Sequence, residues 1–514
     1  MDLKLIKEEI NSSRSIFSSV QEQAVELDYV LPDYYPEIHK IIKCIAEPCV
    51  TSRNISDSVL SYDITLSVKI LYCSENDNAI NVIDQKLMYS KNIDIQQNTL
   101  CPDIKIAART DYINCRAVNS KRIDLRGAIS TDITVKDITS EQLVADASGD
   151  GIQLLKIPVI YPTDKHIETK QAVISEEFEL GSSKPNVNSI IYTDASVVSL
   201  EKKVIANKII VKGELSSSML YTYNSNGMCG AETMQLNMPF SQIIDMDGVD
   251  ENFESRIDTE VISCEIQPHS SGDGNADSME CRVTLLIKCY AFRISSIELA
   301  SDQYSTKFET AAVHNNVTIE SIPQYINQNF NIKAAIDLET YSPEHIYGIR
   351  CKLKNCTVFS DNDNIVVNGA AEYMLFACDN ENKAFICERT ENFTVNIPFS
   401  NLDENSSFDI SVHPLLSSYN IISENKLDVS TEINVYGTVS HNETINAVSD
   451  ITVQEKYDDP ESSDCALKLY FAQSGENIWD IVKLYRAPMD TVMAENDLCG
   501  NTITDNCMLI IPIL

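Results

Sequence analysis

The 514-residue sequence predicts a mainly β protein: three repeated antiparallel β-sandwich-like domains followed by a small β-α-α-β domain. Three observations carry that prediction. Proline-led apolar landmarks recur at a domain-length period. Strand-length segments within each recurrence alternate apolar and polar residues. The segment 466–514 then switches to helical spacing.

The landmarks are YPEIHKII from Tyr35, KPNVNSII from Lys184 and SPEHIYGI from Ser342, whose prolines Pro36, Pro185 and Pro343 lie 149 and then 158 residues apart. A period of this length marks repeated domains. Downstream, Ile70-Leu71-Tyr72 aligns with Met219-Leu220-Tyr221 and Met374-Leu375-Phe376, and MYSKNIDI from Met88 with PFSQIIDM from Pro239 and PFSN from Pro398. The run after each proline reads as a short helix or turn with proline at its first position.

Leu60 to Tyr72 alternates with period two, so one face is apolar and one polar on a strand of about 40 Å. Only Leu71 breaks the polar side. Gly213 and Gly369 occupy matching places in the second and third repeats and predict a bulge or a close backbone approach. The second half of each repeat supplies further strands, in IDLRGAISTDITV from Ile123, CRVTLLIKCYAF from Cys281 and LDVSTEINVYGTV from Leu427. Alternation with one wet face favours antiparallel sandwiches.

The expected organisation is an N-terminal segment 1–19, repeats over 20–170, 171–322 and 323–455, an acidic linker 456–465 and a terminal domain 466–514. Linkers are expected near 160–173, 302–325 and 455–466, the last carrying YDDPESSD from Tyr457.

In the terminal segment, LKLYFA from Leu467 is a strand and Gly475 allows a turn. Asn477 is a plausible N-cap, with Asp480 three residues later. Ile478, Ile481, Val482 and Tyr485 share one helical face. Pro488 opens a second helix with Met489, Val492, Met493 and Asn496 on one side, and Met508 to Pro512 closes with a strand. Trp479, the only tryptophan, reads first as a packing residue and second as a binding platform.

The formal charge of −36 argues against nucleic acid and against an anionic membrane surface. No stretch approaches about 18 apolar residues, and MDLKLIKEEI does not read as a signal peptide, so no membrane insertion is expected. The sixteen cysteines form no CxxC and read as reduced thiols in strands, with no metal site. Cys44 and Cys351 share one offset from their prolines, and Cys49 and Cys356 another; Thr193 and Val198 take those places in the second repeat, which fits packing sites. No HExxH, phosphate loop or GxSxG appears among the scattered histidines, so no enzyme and no cofactor are expected.

The repeats over about 20–455 resemble SPOCS domains of spore-coat morphogenetic proteins. The terminal residues Gly475-Glu476-Asn477-Ile478-Trp479, Asn496-Asp497-Leu498 and Ile511-Pro512 resemble a LysM domain. Together they resemble the SipL-like spore-coat morphogenetic family. The resemblance implies a non-enzymatic adaptor of endospore formation in the mother-cell cytoplasm, at the forespore surface. It would dock to the coat-assembly ATPase (the stage IV A sporulation protein) to localise coat and permit cortex formation.

LysM domains bind N-acetylglucosamine-containing glycans such as peptidoglycan or chitin. The positions carried over to such a groove are Gly475, Glu476, Asn477, Ile478, Asn496, Leu498 and Cys499. A partner face would add Trp479, Met489 and Met493. Two alternatives stand beside the adaptor: a glycan-binding protein anchored through this domain, and a coat protein that self-associates through long edge strands such as Leu60–Tyr72.

Overall fold

The computed structural model describes residues 3–74, 80–181, 184–225, 228–269, 278–339, 341–381, 383–423, 425–457 and 467–512. It is built almost entirely of antiparallel strands. The first repeat contains β1 (Lys4–Val30), β2 (Lys40–Ser56), β3 (Val59–Cys73), β4 (Asn81–Asp94), β5 (Asp103–Asn119) and β6 (Arg122–Ser148). They form two three-stranded sheets, ordered β1-β6-β5 and β2-β3-β4. The apolar face of β3 packs on that of β6, so Leu60, Tyr62, Ile64, Leu66, Val68 and Ile70 meet Ile123, Leu125, Ile129 and Ile133 in one core.

The second repeat has the same topology in β7 (Ile152–Glu179), β8 (Ser189–Ile205), β9 (Lys208–Ser225), β10 (Met228–Asp245), β11 (Glu254–His269) and β12 (Ser278–Ser305). The third splits its first strand into β13 (Phe308–Glu320) and β14 (Gln324–Asp337). It continues with β15 (His345–Asp361), β16 (Asn364–Cys378), β17 (Ala384–Pro398), β18 (Ser406–Ser423) and β19 (Lys426–Lys456). The split falls beside Pro323, which has no N–H for the ladder.

Several boundaries differ from the sequence expectation. Residues 4–19 are no separate segment: they are the first half of β1 and pair with β6 from Ser148 back to Ile133. Residues 160–173 lie inside β7, and 302–325 span the end of β12, β13 and the start of β14. The true joins are short turns around Gly149–Gly151 and Thr306–Lys307. These strand halves read as linkers because their partners lie more than a hundred residues away. Of the acidic linker expected at 456–465, Lys456 ends β19, and residues 458–465 lie outside the described residues.

No helix follows the landmark prolines; extended chain leads from each into a strand. That link is two residues shorter in the third repeat. Tyr72 therefore pairs with Ile41 and Tyr221 with Ile190, whereas Ala377, not Phe376, holds this place opposite Ile346. The structural counterpart of Ile70-Leu71-Tyr72 is Leu375-Phe376-Ala377, one position beyond the triplet that sequence aligns. By the same slip Cys351, opposite Tyr373, corresponds to Ala46 rather than to Cys44. Gly213 and Gly369 do match: the rings of Phe240 and Phe393 lie where a Cβ would be, at 2.8 and 2.6 Å.

The register explains Leu71. Each of β2, β8 and β15 carries a one-residue bulge, at Ile42, Ile191 and Tyr347, immediately before the residue that faces Leu71, Leu220 or Phe376. Bulge residues and partners turn away from their own sandwiches into one shared cluster, to which all three repeats contribute. Beside this hub Arg350 of β15 is almost fully buried, bonded to Glu47 of β2 at 2.6 Å and to Asp194 of β8 at 2.5 Å. Lys352 also reaches Glu47. One guanidinium thus ties the three repeats together.

A second layer of contact lies at the far ends of the long strands. Leu143-Val144-Ala145-Asp146 of β6, Leu299-Ala300-Ser301-Asp302 of β12 and Ala447-Val448-Ser449-Asp450 of β19 occupy equivalent positions. Each has a bulge at its third residue. Leu143, Leu299 and Ala447 enter one cluster, and Val144, Ala300 and Val448 another.

Candidate functional site

After the three repeats the chain forms β20 (Leu467–Ala472), α1 (Ile478–Tyr485), α2 (Met489–Glu495) and β21 (Cys507–Pro512), the expected β-α-α-β order. Asn477 caps α1, its Oδ1 accepting the Trp479 N–H at 2.9 Å. Arg486 ends it with a left-handed φ of 55°. Ala472, Ile478, Ile481, Val482, Val492, Leu509 and Ile511 make the small core.

This module is seated on the end of the second repeat, and Trp479 is the anchor. Its indole Nε1–H donates to Asp302 at 2.8 Å, and its ring packs edge-on against Tyr304 at 5.0 Å. Lys483, one turn later, donates to the same carboxylate at 2.6 Å. The Tyr304 hydroxyl donates to the Ala487 carbonyl at 2.6 Å. Burial pushes the Asp302 carboxyl up, but the hydrogen bonds from Lys483 and Trp479 outweigh it and hold it below its ordinary value.

The equivalent Asp146 and Asp450 instead pair with lysines of a neighbouring repeat, Lys156 of β7 and Lys7 of β1. Their repeats have Ser148 and Thr452 where the second has Tyr304, so one of three similar ends receives the module.

The residues expected at a groove or partner face are mostly turned inward. Ile478 and Trp479 are 0 and 2 % exposed, so neither can line an open face. Met489 packs into the join, its N–H toward Gln153 Oε1 at 3.4 Å, and Met493 and Leu498 pack against the module core. The Asn496 side chain binds Ile510 N–H and the Ile510 and Val492 carbonyls, pinning α2 to β21. Glu476 accepts from the Tyr470 hydroxyl and the Gln473 N–H. Gly475, at φ +95°, and Cys499 are at the surface. The loop before α1 and the loop after α2 are zipped together. The N–H groups of Gly475 and Ile478 donate to the Ile503 and Asn501 carbonyls, and the Ile503 N–H donates to Glu476 O, all at 2.8–2.9 Å. The backbone amides of Gly475 and Ile478, two of the expected groove positions, are therefore engaged within the protein.

The open surface lies away from the expected groove, on the outer face of β20 and β21. In β20 and β21, Leu469 faces Ile510 and Phe471 faces Met508. With Leu467 they form one outer stripe, each residue 38–62 % exposed. The signal was present: LKLYFA and MLIIP are apolar on both faces, yet a two-stranded sheet with helices on one side needs only one apolar face.

Elsewhere, a cleft of 670 Å³ opens between the second and third repeats. The charges on its wall are already paired, Arg350 with Asp194 and Glu260 with Arg53. Among the described residues no group of three or more His, Cys, Asp or Glu could hold a metal, and no helix is long and apolar enough to cross a membrane.

Residues 186–268 match the family model SipL, SPOCS domain. The matched segment begins directly after Pro185 and covers β8 to β11 of the second repeat, the repeat that carries the C-terminal module. It supports a SipL-like, sporulation-related protein. No curated protein and no solved structure matches the chain.

Proposed function

We propose that the chain is a non-enzymatic adaptor of endospore formation, working in the mother-cell cytoplasm at the forespore surface. It docks a protein partner through the outer face of β20 and β21. The partner implied by the family resemblance is the coat-assembly ATPase, and the three-repeat body is the scaffold that carries the docking face. The observation behind this reading is the stripe Leu467, Leu469, Phe471, Met508 and Ile510, a contiguous apolar surface. A glycan reading of the LysM-like module has less support, because the loop amides it needs are already bonded.

The test is co-sedimentation of the full chain, in parallel, with the polymerised ATPase and with peptidoglycan sacculi. The wild type is expected to pellet with the ATPase only, and Phe471→Glu to lose it while keeping the far-UV circular dichroism and the tryptophan emission of the wild type. Pelleting with sacculi alone would overturn the proposal, as would full ATPase binding by a folded Phe471→Glu.

A further inference from the structure

The cleft between the second and third repeats is opened by short residues at places that carry longer ones elsewhere. Two equivalent positions meet at each seam between repeats. One lies opposite the residue before the hub triplet: Asp84 opposite Lys69, Gln235 opposite Ser218, and Glu388 opposite Met374. The other follows the bulge: Lys43, Tyr192 and Gly348. Where the third repeat meets the first, Lys43 donates to Glu388 across the seam at 2.6 Å. Where the first meets the second, the two places hold Asp84 and Tyr192. Where the second meets the third, they hold Gln235 and Gly348, and the seam stays open as the cleft of 670 Å³. A Cβ on Gly348 would already stand 3.0 Å from Thr233.

The groups left free on its walls are uncharged. Arg350 bonds Asp194 and Glu47, Lys352 bonds Glu47, and Glu260 bonds Arg53. Among the described residues the hydroxyls of Tyr192, Ser196 and Ser218 and the ring nitrogens of His413 have no hydrogen-bond partner. Tyr192 is 6 % exposed, and its hydroxyl stands at the cleft, 3.7 Å from where a Gly348 Cβ would be. Ser196 and Ser218 lie on one sheet face, opposite Ser216 and Asp194 respectively. From the third repeat, His413 stacks on Tyr436 with ring centres 5.4 Å apart and planes inclined by 23°. His413 is exposed, so the pair forms a flat platform in the cleft.

We infer that this cleft binds a neutral sugar, a mono- to trisaccharide without charged groups. A hydroxyl both donates and accepts, so Tyr192, Ser196 and Ser218 match the hydroxyls on the rim of a pyranose ring. The platform of His413 and Tyr436 meets the C–H face of the sugar, because the negative face of an aromatic ring attracts polarised C–H groups. A charged ligand finds no unpaired opposite charge on the wall. An extended peptide would bind through main-chain groups at a sheet edge, whereas the groups free here are side-chain hydroxyls and an imidazole. The volume falls within the range of about 300–1,000 Å³ usual for small-molecule sites. The site is separate from the outer face of β20 and β21 and does not depend on the partner proposed for that face.

The experiment is saturation-transfer NMR on the full chain, with glucose, maltose, maltotriose and trehalose as neutral probes beside glucose 6-phosphate and a tetraglycine peptide. At least one neutral sugar is expected to receive saturation at millimolar concentration, and the phosphate and the peptide none. Tyr192→Phe removes only an unpartnered hydroxyl, so it should keep the urea unfolding midpoint and weaken that sugar about three- to tenfold. Ser218→Leu, which fills the cleft from the β9 side, should abolish the signal while far-UV circular dichroism stays unchanged. If Ser218→Leu fails to fold, Tyr192→Phe decides alone. The inference fails if no neutral sugar receives saturation, or if only the phosphate or the peptide does. It also fails if Tyr192→Phe binds the sugar as the wild type does, which would place the sugar elsewhere on the chain.

Discussion

The indole N–H of Trp479 and the carboxylate of Asp302 meet at 2.8 Å across the join between the C-terminal module and the second repeat. Because the chain has one tryptophan, its emission reports this join alone. Asp302→Asn removes the charge that Lys483 and Trp479 share and should weaken docking by about 1–2 kcal/mol. The measurement is tryptophan emission in a urea series, where the variant should shift to the red before the repeats unfold. Asp146→Asn and Asp450→Asn, at the equivalent positions of the other repeats, should leave the emission curve unchanged.

Acid should release the same join. The Asp302 carboxyl is held below its ordinary value when docked, so its contribution is complete above the free-carboxylate pKa of about 3.9 and is lost as pH falls through the lowered docked value. Emission should be flat from pH 7 to about 4 and move red below it. A transition near neutrality would point to a different group.

Arg350→Met should destabilise the whole body rather than one repeat. It leaves Glu47 and Asp194 facing each other without their shared cation, at a cost of about 2–4 kcal/mol, reduced from the fully buried case because both carboxylates keep some water contact. Urea unfolding followed by far-UV circular dichroism measures it. In the wild type, burial raises the Glu47 carboxyl but Arg350 and Lys352 bring it down to about 2. Its share of stability is therefore present above the ordinary glutamate range and lost as pH falls toward 2.

Phe376→Ala empties the hub at the point where three sandwiches meet. A loss of about 3–5 kcal/mol is expected, with Leu71→Ala and Leu220→Ala at about 2–5. If these residues were ordinary surface positions, as their place on the polar side of each strand implies, all three losses would be within about 0.5 kcal/mol.

Gly437→Ala is expected to cost about 1–3 kcal/mol. Its φ is +153°, and a Cβ there would lie 2.1 Å from the Asp409 carbonyl. That neighbour is backbone and cannot turn aside. Asp409 also joins Lys105 of the first repeat to Arg256 of the second. The same urea series serves for both hub and glycine variants.

What was readable in the sequence follows from range. Period-two alternation in Leu60–Tyr72 and 3.6-residue spacing from Ile478 to Tyr485 are local, and both elements form as read. Leu71 was visible as an exception, but its meaning needs two other repeats. The pairing of residues 4–19 with 133–148 leaves no local mark, because the partners lie more than a hundred residues apart and residues 4–19 are mostly exposed. Trp479 announced a contact without naming its partner. Asp302 looks like Asp146 and Asp450 until Tyr304 is placed beside it. The apolar outer face of β20 and β21 is legible in composition, but which face stays open depends on where the two helices pack.

Each repeat ends where it began: Lys4 stands opposite Ser148, Ile152 opposite Ser305, and Phe308 opposite Lys456. Entry and exit therefore share one doorway per domain, and the next domain starts within a turn of it. Such a chain can be copied in whole units without rethreading, and cut or circularly joined at Gly151 or Lys307 while every ladder stays intact. Three near-identical rooms opening on one landing are what tandem duplication of this gene segment would build.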